Sequence, residues 1–184
     1  MRPLPDTPLV TEAMRIVQND LTTEVLRHSQ RAFLLGRAYA KSKRIAFDEE
    51  DLLLAALFHD LGLSDAHADP TRAFTEIGAE QVQGFMAARA DRTRGARLAD
   101  AISFHMQLLP RWSKGPVAGL LQVGAWMDAS GLRKRTVSRE TLAEVQAAFP
   151  RVGFDAEFRR RFKRSLGSPR ACLRLLCPPS WATR

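Results

Sequence analysis

Cysteine is scarce in this chain. The two that occur, Cys172 and Cys177, form no Cys-x-x-Cys pair and lie far in sequence from every histidine, so neither a redox motif nor a thiolate metal site is encoded. The opening Met1-Arg-Pro-Leu-Pro-Asp-Thr-Pro8 holds three prolines and no apolar stretch, unlike a secretory or transit segment, so free thiols and a cytoplasmic location are expected. Long hydrophobic runs are missing too. The longest, Leu52 to Phe58, is far too short to span a bilayer. No run of alternating β-branched residues is long enough for a sheet, and no internal repeat or low-complexity tract is present.

What is present suits one globular domain. A chain of 184 residues, 45% apolar and 26% charged, buries roughly two thirds of its unfolded surface when it folds. The net charge of +8 invites a nucleic-acid or membrane reading. Position weakens it. Residues 1 to 130 carry 15 basic and 16 acidic side chains, whereas residues 131 to 184 carry 13 basic and 4 acidic ones, so the surplus belongs to the C-terminal third.

Apolar spacing is helical almost throughout, which predicts an all-α fold. Helices are expected over Thr11 to about Asn19, from Thr22 or Thr23 to the basic Lys41-Ser-Lys-Arg44, and from an Asp48 cap through Leu52 to Leu61, where Gly62 stops the turn. That third helix is apolar on every side and belongs at the centre of the fold. Further helices are expected over about Thr75 to Arg89, Arg94 to Leu109, and Pro116 to Ser130-Gly131. Two more are expected in the basic end, Ser138 to Phe149 and Asp155 to Leu166.

Three of the four histidines and two aspartates stand where polar groups are costly. His28 shares an apolar face with Val25, Ala32 and Leu35, His59 and Asp60 end the most hydrophobic segment, and Asp128 ends the apolar stripe of the sixth helix. A lone core histidine is usually a satisfied hydrogen-bonder. A buried carboxylate is different: it costs several kcal/mol unless paired or bound to a metal, and neither Asp60 nor Asp128 has a Lys or Arg one turn away. The order His, His-Asp, Asp on separate helices therefore predicts one divalent transition metal held by His28, His59, Asp60 and Asp128. The nitrogen and oxygen donors suit Zn first, then Fe, Mn or Co. A second ion would need more histidines than His67 and His105 supply.

With these motifs the chain resembles the HD-domain metal-dependent hydrolases, all-helical proteins named for the His-Asp pair. Within them it is similar to the cyanamide-hydratase-like branch through His28-Ser-Gln-Arg31, Leu57-Phe-His-Asp-Leu-Gly-Leu63, Phe74 with Gly78-Ala79, Ala101-Ile-Ser-Phe-His105 and Gly124-Ala-Trp-Met-Asp-Ala-Ser-Gly131. Where that branch tends to carry Arg-Phe-Glu, this chain reads Ala73-Phe74-Thr75, with Arg72 and Glu76 as flanking charges. The resemblance implies a metal-bound hydroxide attacking a small molecule at a nitrile-like group, with Asp60 also orienting or deprotonating the water. It implies His105 as a proton donor, Arg31 as a holder of an anionic group or a ligand carboxylate, and Phe74, Thr75, Glu76 and Trp112 as pocket residues.

The same centre on a nucleotide or other phosphomonoester is the alternative. A non-enzymatic nucleic-acid module is a third class, but no RNA-binding signature or Gly-x-x-Gly clamp supports it, and Phe158, Phe162 and Leu166 at i, i+4, i+8 read as a stripe docked on the core. The expected layout is an N-terminal segment with a short helix over 1–21, an HD metal-binding core over 22–131, and basic helices over 132–184 packed on the same domain. The expected partner is a small-molecule substrate, with no nucleic acid and no membrane. The apolar Cys172-Leu-Arg-Leu-Leu-Cys177 calls for burial in the chain's own core or in a homodimer.

Overall fold

The computed structural model describes residues 2–178, 180 and 181. Among them are nine α-helices and no strand: α1 Pro8–Asp20, α2 Thr23–Lys43, α3 Glu49–Phe58, α4 Phe74–Ala87, α5 Arg92–Phe104, α6 Pro116–Ser130, α7 Arg139–Ala148, α8 Phe154–Ser165 and α9 Pro169–Leu176. The all-α expectation holds. No helix among the described residues is long and apolar enough to cross a membrane.

α3 is the hub. The Asp48 carboxylate accepts the Asp51 backbone N–H at 2.9 Å, three acidic residues occupy the positive end of the helix dipole, and every side chain from Leu52 to Phe58 is buried. The helix stops at Phe58, a turn earlier than the apolar run suggests, and tightens into a 3-10 turn over Leu61–Leu63. The start of α4 lies directly on that end. A Cβ on Gly78 would fall 2.5 Å from the Phe58 carbonyl oxygen, so only glycine lets the two backbones approach this closely. His59 and Asp60 are thereby pinned between α3 and α4.

The most extensive helix pair is α2 against α6. They touch backbone to backbone, since a Cβ on Gly124 would lie 2.0 Å from the Ala32 carbonyl oxygen. His28 lies one turn before Ala32 and Asp128 one turn after Gly124, so the antiparallel crossing that joins Ala32 to Gly124 also sets His28 opposite Asp128.

The basic end folds onto the same body. Val137, Val145 and Trp181 join the main apolar cluster, and Leu175 of α9 packs with Leu63, Ala73 and Phe74 in a smaller one. α9 was not among the helices read from the sequence. The fifth helix ends at Phe104 and not at Leu109, which leaves His105 as its cap and the chain free to turn toward Trp112. The C-terminal segment is tied to α5 by buried Asp100, which accepts the Trp181 backbone N–H at 2.5 Å and the Ser180 hydroxyl at 3.1 Å.

Candidate metal centre

Three histidines meet at the ends of α2, α3 and α5, each hydrogen-bonded through the same ring nitrogen. His28 donates Nδ1–H to the Asp128 carboxylate (2.6 Å), His59 to the Ala56 carbonyl (2.7 Å) and His105 to the Ile102 carbonyl (2.6 Å). Because a carbonyl or carboxylate can only accept, the proton sits on Nδ1 and the Nε2 lone pair of each ring is left for another partner. All three rings are at least 98% buried.

Asp60 lies among these lone pairs. Its Oδ2 is 3.2 Å from His59 Nε2 and 3.6 Å from His28 Nε2, and its Oδ1 is 3.8 Å from His105 Nε2. Donor atoms of His28, His59 and Asp60 lie within 4.8 Å of one another. Neither His59 Nε2 nor Asp60 Oδ2 has a hydrogen-bond partner, although both are buried. Orphaned polar atoms at such depth call for a ligand, and two imidazole nitrogens with a carboxylate oxygen are a donor set for a divalent transition ion. The residues fit the metal.

The electrostatics agree. Burial alone would raise the Asp60 carboxyl, but the facing His59, His28 and His105 bring it down to about 2. Burial alone would lower His59, and Asp60 beside it more than reverses this, so the site favours positive charge. His105 behaves oppositely: burial and then the neighbouring His59 hold it down at about 3, so it is neutral at physiological pH.

Asp128 departs from the expected four-ligand set. Its carboxylate stands behind His28, away from the converging donors, and is gripped by Arg31 through Nε to Oδ1 (2.7 Å) and Nη2 to Oδ2 (2.8 Å). The fully buried Arg31 also donates to the Phe149 and Pro150 carbonyls. Of the two roles expected for Arg31, the geometry gives the carboxylate anchor. Against the opposing effect of burial, His28 and then Arg31 hold the Asp128 carboxyl well below the ordinary range.

The donors form the floor of a cavity of about 250 Å³ walled by Met106, Ala125, Trp126 and Phe158, with Ala129 and Ser130 at its rim. Of the residues expected there beyond the donors, only His105 lines it. Phe74 stands behind His105, its ring edge-on at 5.7 Å. Thr75 is buried in α4 with an unpartnered hydroxyl, and Glu76 faces Arg174 on α9 at 3.5 Å. Trp112 packs over Gly119 and stacks with Tyr39 at 6.4 Å, outside the cavity, because the α5–α6 connection carries it over the α2–α6 seam. His67 pairs with Asp20 at 2.9 Å, also outside it.

Sequence reasoning missed Trp126, Met106 and Phe158 as walls. Trp126 carried a usable signal: it lies two residues before Asp128 on α6, and its Nε1–H is tied to the His105 carbonyl at 2.9 Å.

Residues 25–140 match the HD domain family, more than half of the chain. The chain belongs to the HD-domain family. No curated protein matches it. HD-domain proteins are in general metal-dependent hydrolases, and His28, His59 and Asp60 give this one a group able to hold such a metal. The match ends before α8, so Phe154 and Phe158 lie outside it.

Proposed function

We propose that this HD-domain protein is a metal-dependent hydrolase or hydratase acting on a small uncharged molecule, with one divalent ion held by His28, His59 and Asp60. The observation that carries the reading is the convergence of three buried donors, two of them without partners, on the floor of a cavity. Zinc is the first candidate, with Fe, Mn and Co compatible with the same donors. When bound, such an ion supplies Lewis acidity that lowers the pKa of water from 15.7 to about 7.

The chain's own groups divide the remaining work. Asp128 fixes the His28 ring so that Nε2 faces the site, and Arg31 fixes Asp128. His105 Nε2, left free because the Ile102 carbonyl engages Nδ1–H, would accept a proton from water at the site and pass it to the substrate nitrogen, which keeps the donor role expected from the sequence. Trp126 and Phe158 keep bulk water away from the floor.

The cavity supports a neutral substrate over a phosphomonoester. A phosphoryl group carries about −1.5 to −2 charges at neutral pH and calls for Lys or Arg. None lines the cavity, and Arg31 is committed to Asp128. At about 250 Å³ the space is smaller than ordinary drug-sized ligand pockets, and a linear nitrile-like group suits it.

The test is turnover by metal-loaded protein of cyanamide, short aliphatic nitriles and nucleoside monophosphates. Hydration of the neutral compounds alone is expected. Release of inorganic phosphate from the nucleotides without hydration of the nitriles would overturn the reading in favour of a phosphohydrolase.

A further inference from the structure

The floor of the cavity comes from the HD region, but one wall does not. Phe158 lies on α8, past the last residue of the family match. It sits in a belt of rings around the outside of the site. Phe154 stacks on His28 at 4.5 Å, Phe158 is 5.3 Å from Phe154 and stacks on Phe162 at 5.6 Å, and Phe162 meets Phe74, which backs His105. Of the α8 rings only Phe158 lines the cavity.

The other bulky wall has a fixed place, since the Trp126 indole is tied to the His105 carbonyl. Phe158 has no polar group to hold, and its position follows from how α8 is docked. That docking is firm: buried Arg161, one turn further on, donates to the Leu63 carbonyl at 2.8 Å, to Glu157 at 2.5 Å and to Asp65 at 3.0 Å. Leu63 and Asp65 belong to the segment that follows His59 and Asp60. The clamp therefore holds Phe158 at a set height above the floor.

From this arrangement we propose that Phe158 is the residue that sets the upper size limit of what reaches the metal, admitting compact neutral ligands and excluding those with a bulky group beyond the metal-binding atom. The inference rests on the metal reading above. A shorter apolar side chain at this position removes the wall and leaves the donors, their tautomers and the Arg161 clamp in place.

The experiment loads the full chain with Co(II) and follows its visible absorption during titration with imidazole and with 4-phenylimidazole. Wild type should bind imidazole and bind 4-phenylimidazole about tenfold or more weakly by comparison. F158A should bring the two together by tightening 4-phenylimidazole about tenfold relative to imidazole. F158L, which keeps the apolar stripe of α8, should shift the ratio in the same direction and decides the matter if F158A does not fold. An unchanged ratio in variants that still take up one Co(II) overturns the size limit alone. Failure of the wild type to take up Co(II) overturns the metal reading itself.

Discussion

His28 and Asp128 stand 100 residues apart in sequence and are joined by a 2.6 Å hydrogen bond from Nδ1–H to Oδ2. Through that bond Asp128 acts on the site by way of the imidazole, and the structural consequence is measurable. D128N should weaken metal affinity by about 10–100-fold, the usual effect of losing a group that orients a ligand histidine. H59A, which removes a converging nitrogen, should abolish stoichiometric binding. Competition against a chelator of known affinity separates the two. Loss in D128N as complete as in H59A would make Asp128 a ligand.

Arg31 is the counter-charge that makes a buried Asp128 tolerable. Replacing it with methionine removes the bidentate partner and leaves the carboxylate only the His28 ring and the more distant Arg151, which should cost up to about 3–5 kcal/mol in urea unfolding. R31K should recover only part of this, because an ammonium cannot reproduce the two parallel bonds that the guanidinium makes. A wild-type midpoint in R31M would mean that neither the charge of Arg31 nor its Phe149 and Pro150 carbonyl contacts stabilise the fold.

His105 is assigned to proton transfer and not to holding the ion. H105A should lower the turnover of whichever neutral compound is hydrated by about 10²–10⁴-fold, with metal content still near one per chain by elemental analysis. Loss of the metal along with the rate would place His105 among the ligands.

The donors were legible in the sequence because each puts a polar group on an otherwise apolar helical face, and such placements are rarely accidental. What holds them was legible only in part: Arg31 was expected to hold an anionic group or a ligand carboxylate, without Asp128 being singled out as its partner. Arg31 and Asp128 are 97 residues apart, and no local spacing rule links them. Of the expected stripe Phe158, Phe162 and Leu166, the two rings pack inward but Leu166 is exposed, because α8 ends at Ser165; periodicity reports which face is covered and not what it covers, so the cavity wall went unseen. Trp112 misled for the related reason that an aromatic in a loop near a site carries no direction; its ring went to Tyr39. The basic surplus of the C-terminal third is partly paired within the chain, with buried Arg161 and exposed Arg164 on Asp65 and Arg151 beside Asp128 and Asp155.

Gly124 tests whether the α2–α6 contact also sets the site. G124A drives a methyl group into the Ala32 carbonyl and should destabilise the protein by about 1–3 kcal/mol. Because the same contact sets His28 opposite Asp128, metal affinity should fall with it. Gly84 is the control: a Cβ there meets nothing within 4 Å, and G84A on the exposed side of α4 should gain about 0.5–1 kcal/mol. Metal affinity at wild-type level in a destabilised G124A would uncouple the helix contact from the centre.

The α8 clamp should be sensitive to acid. Asp65 is held below its ordinary value of 3.8 by Arg164 and Arg161, and Glu157 below 4.5 by Arg160 and Arg161, against the opposing effect of burial. A carboxylate lowered in the folded state contributes stability in full above its ordinary value and loses it as the pH falls through the lowered one. Amide protection in α8, corrected for the intrinsic exchange rate, should therefore hold from pH 7 to about 5 and drop below about 4, ahead of the protection in α3. D65N combined with E157Q should start from lower protection at pH 7 and flatten that dependence. Equal pH profiles for α8 in the two proteins would remove Asp65 and Glu157 as the pH-sensitive part of the clamp.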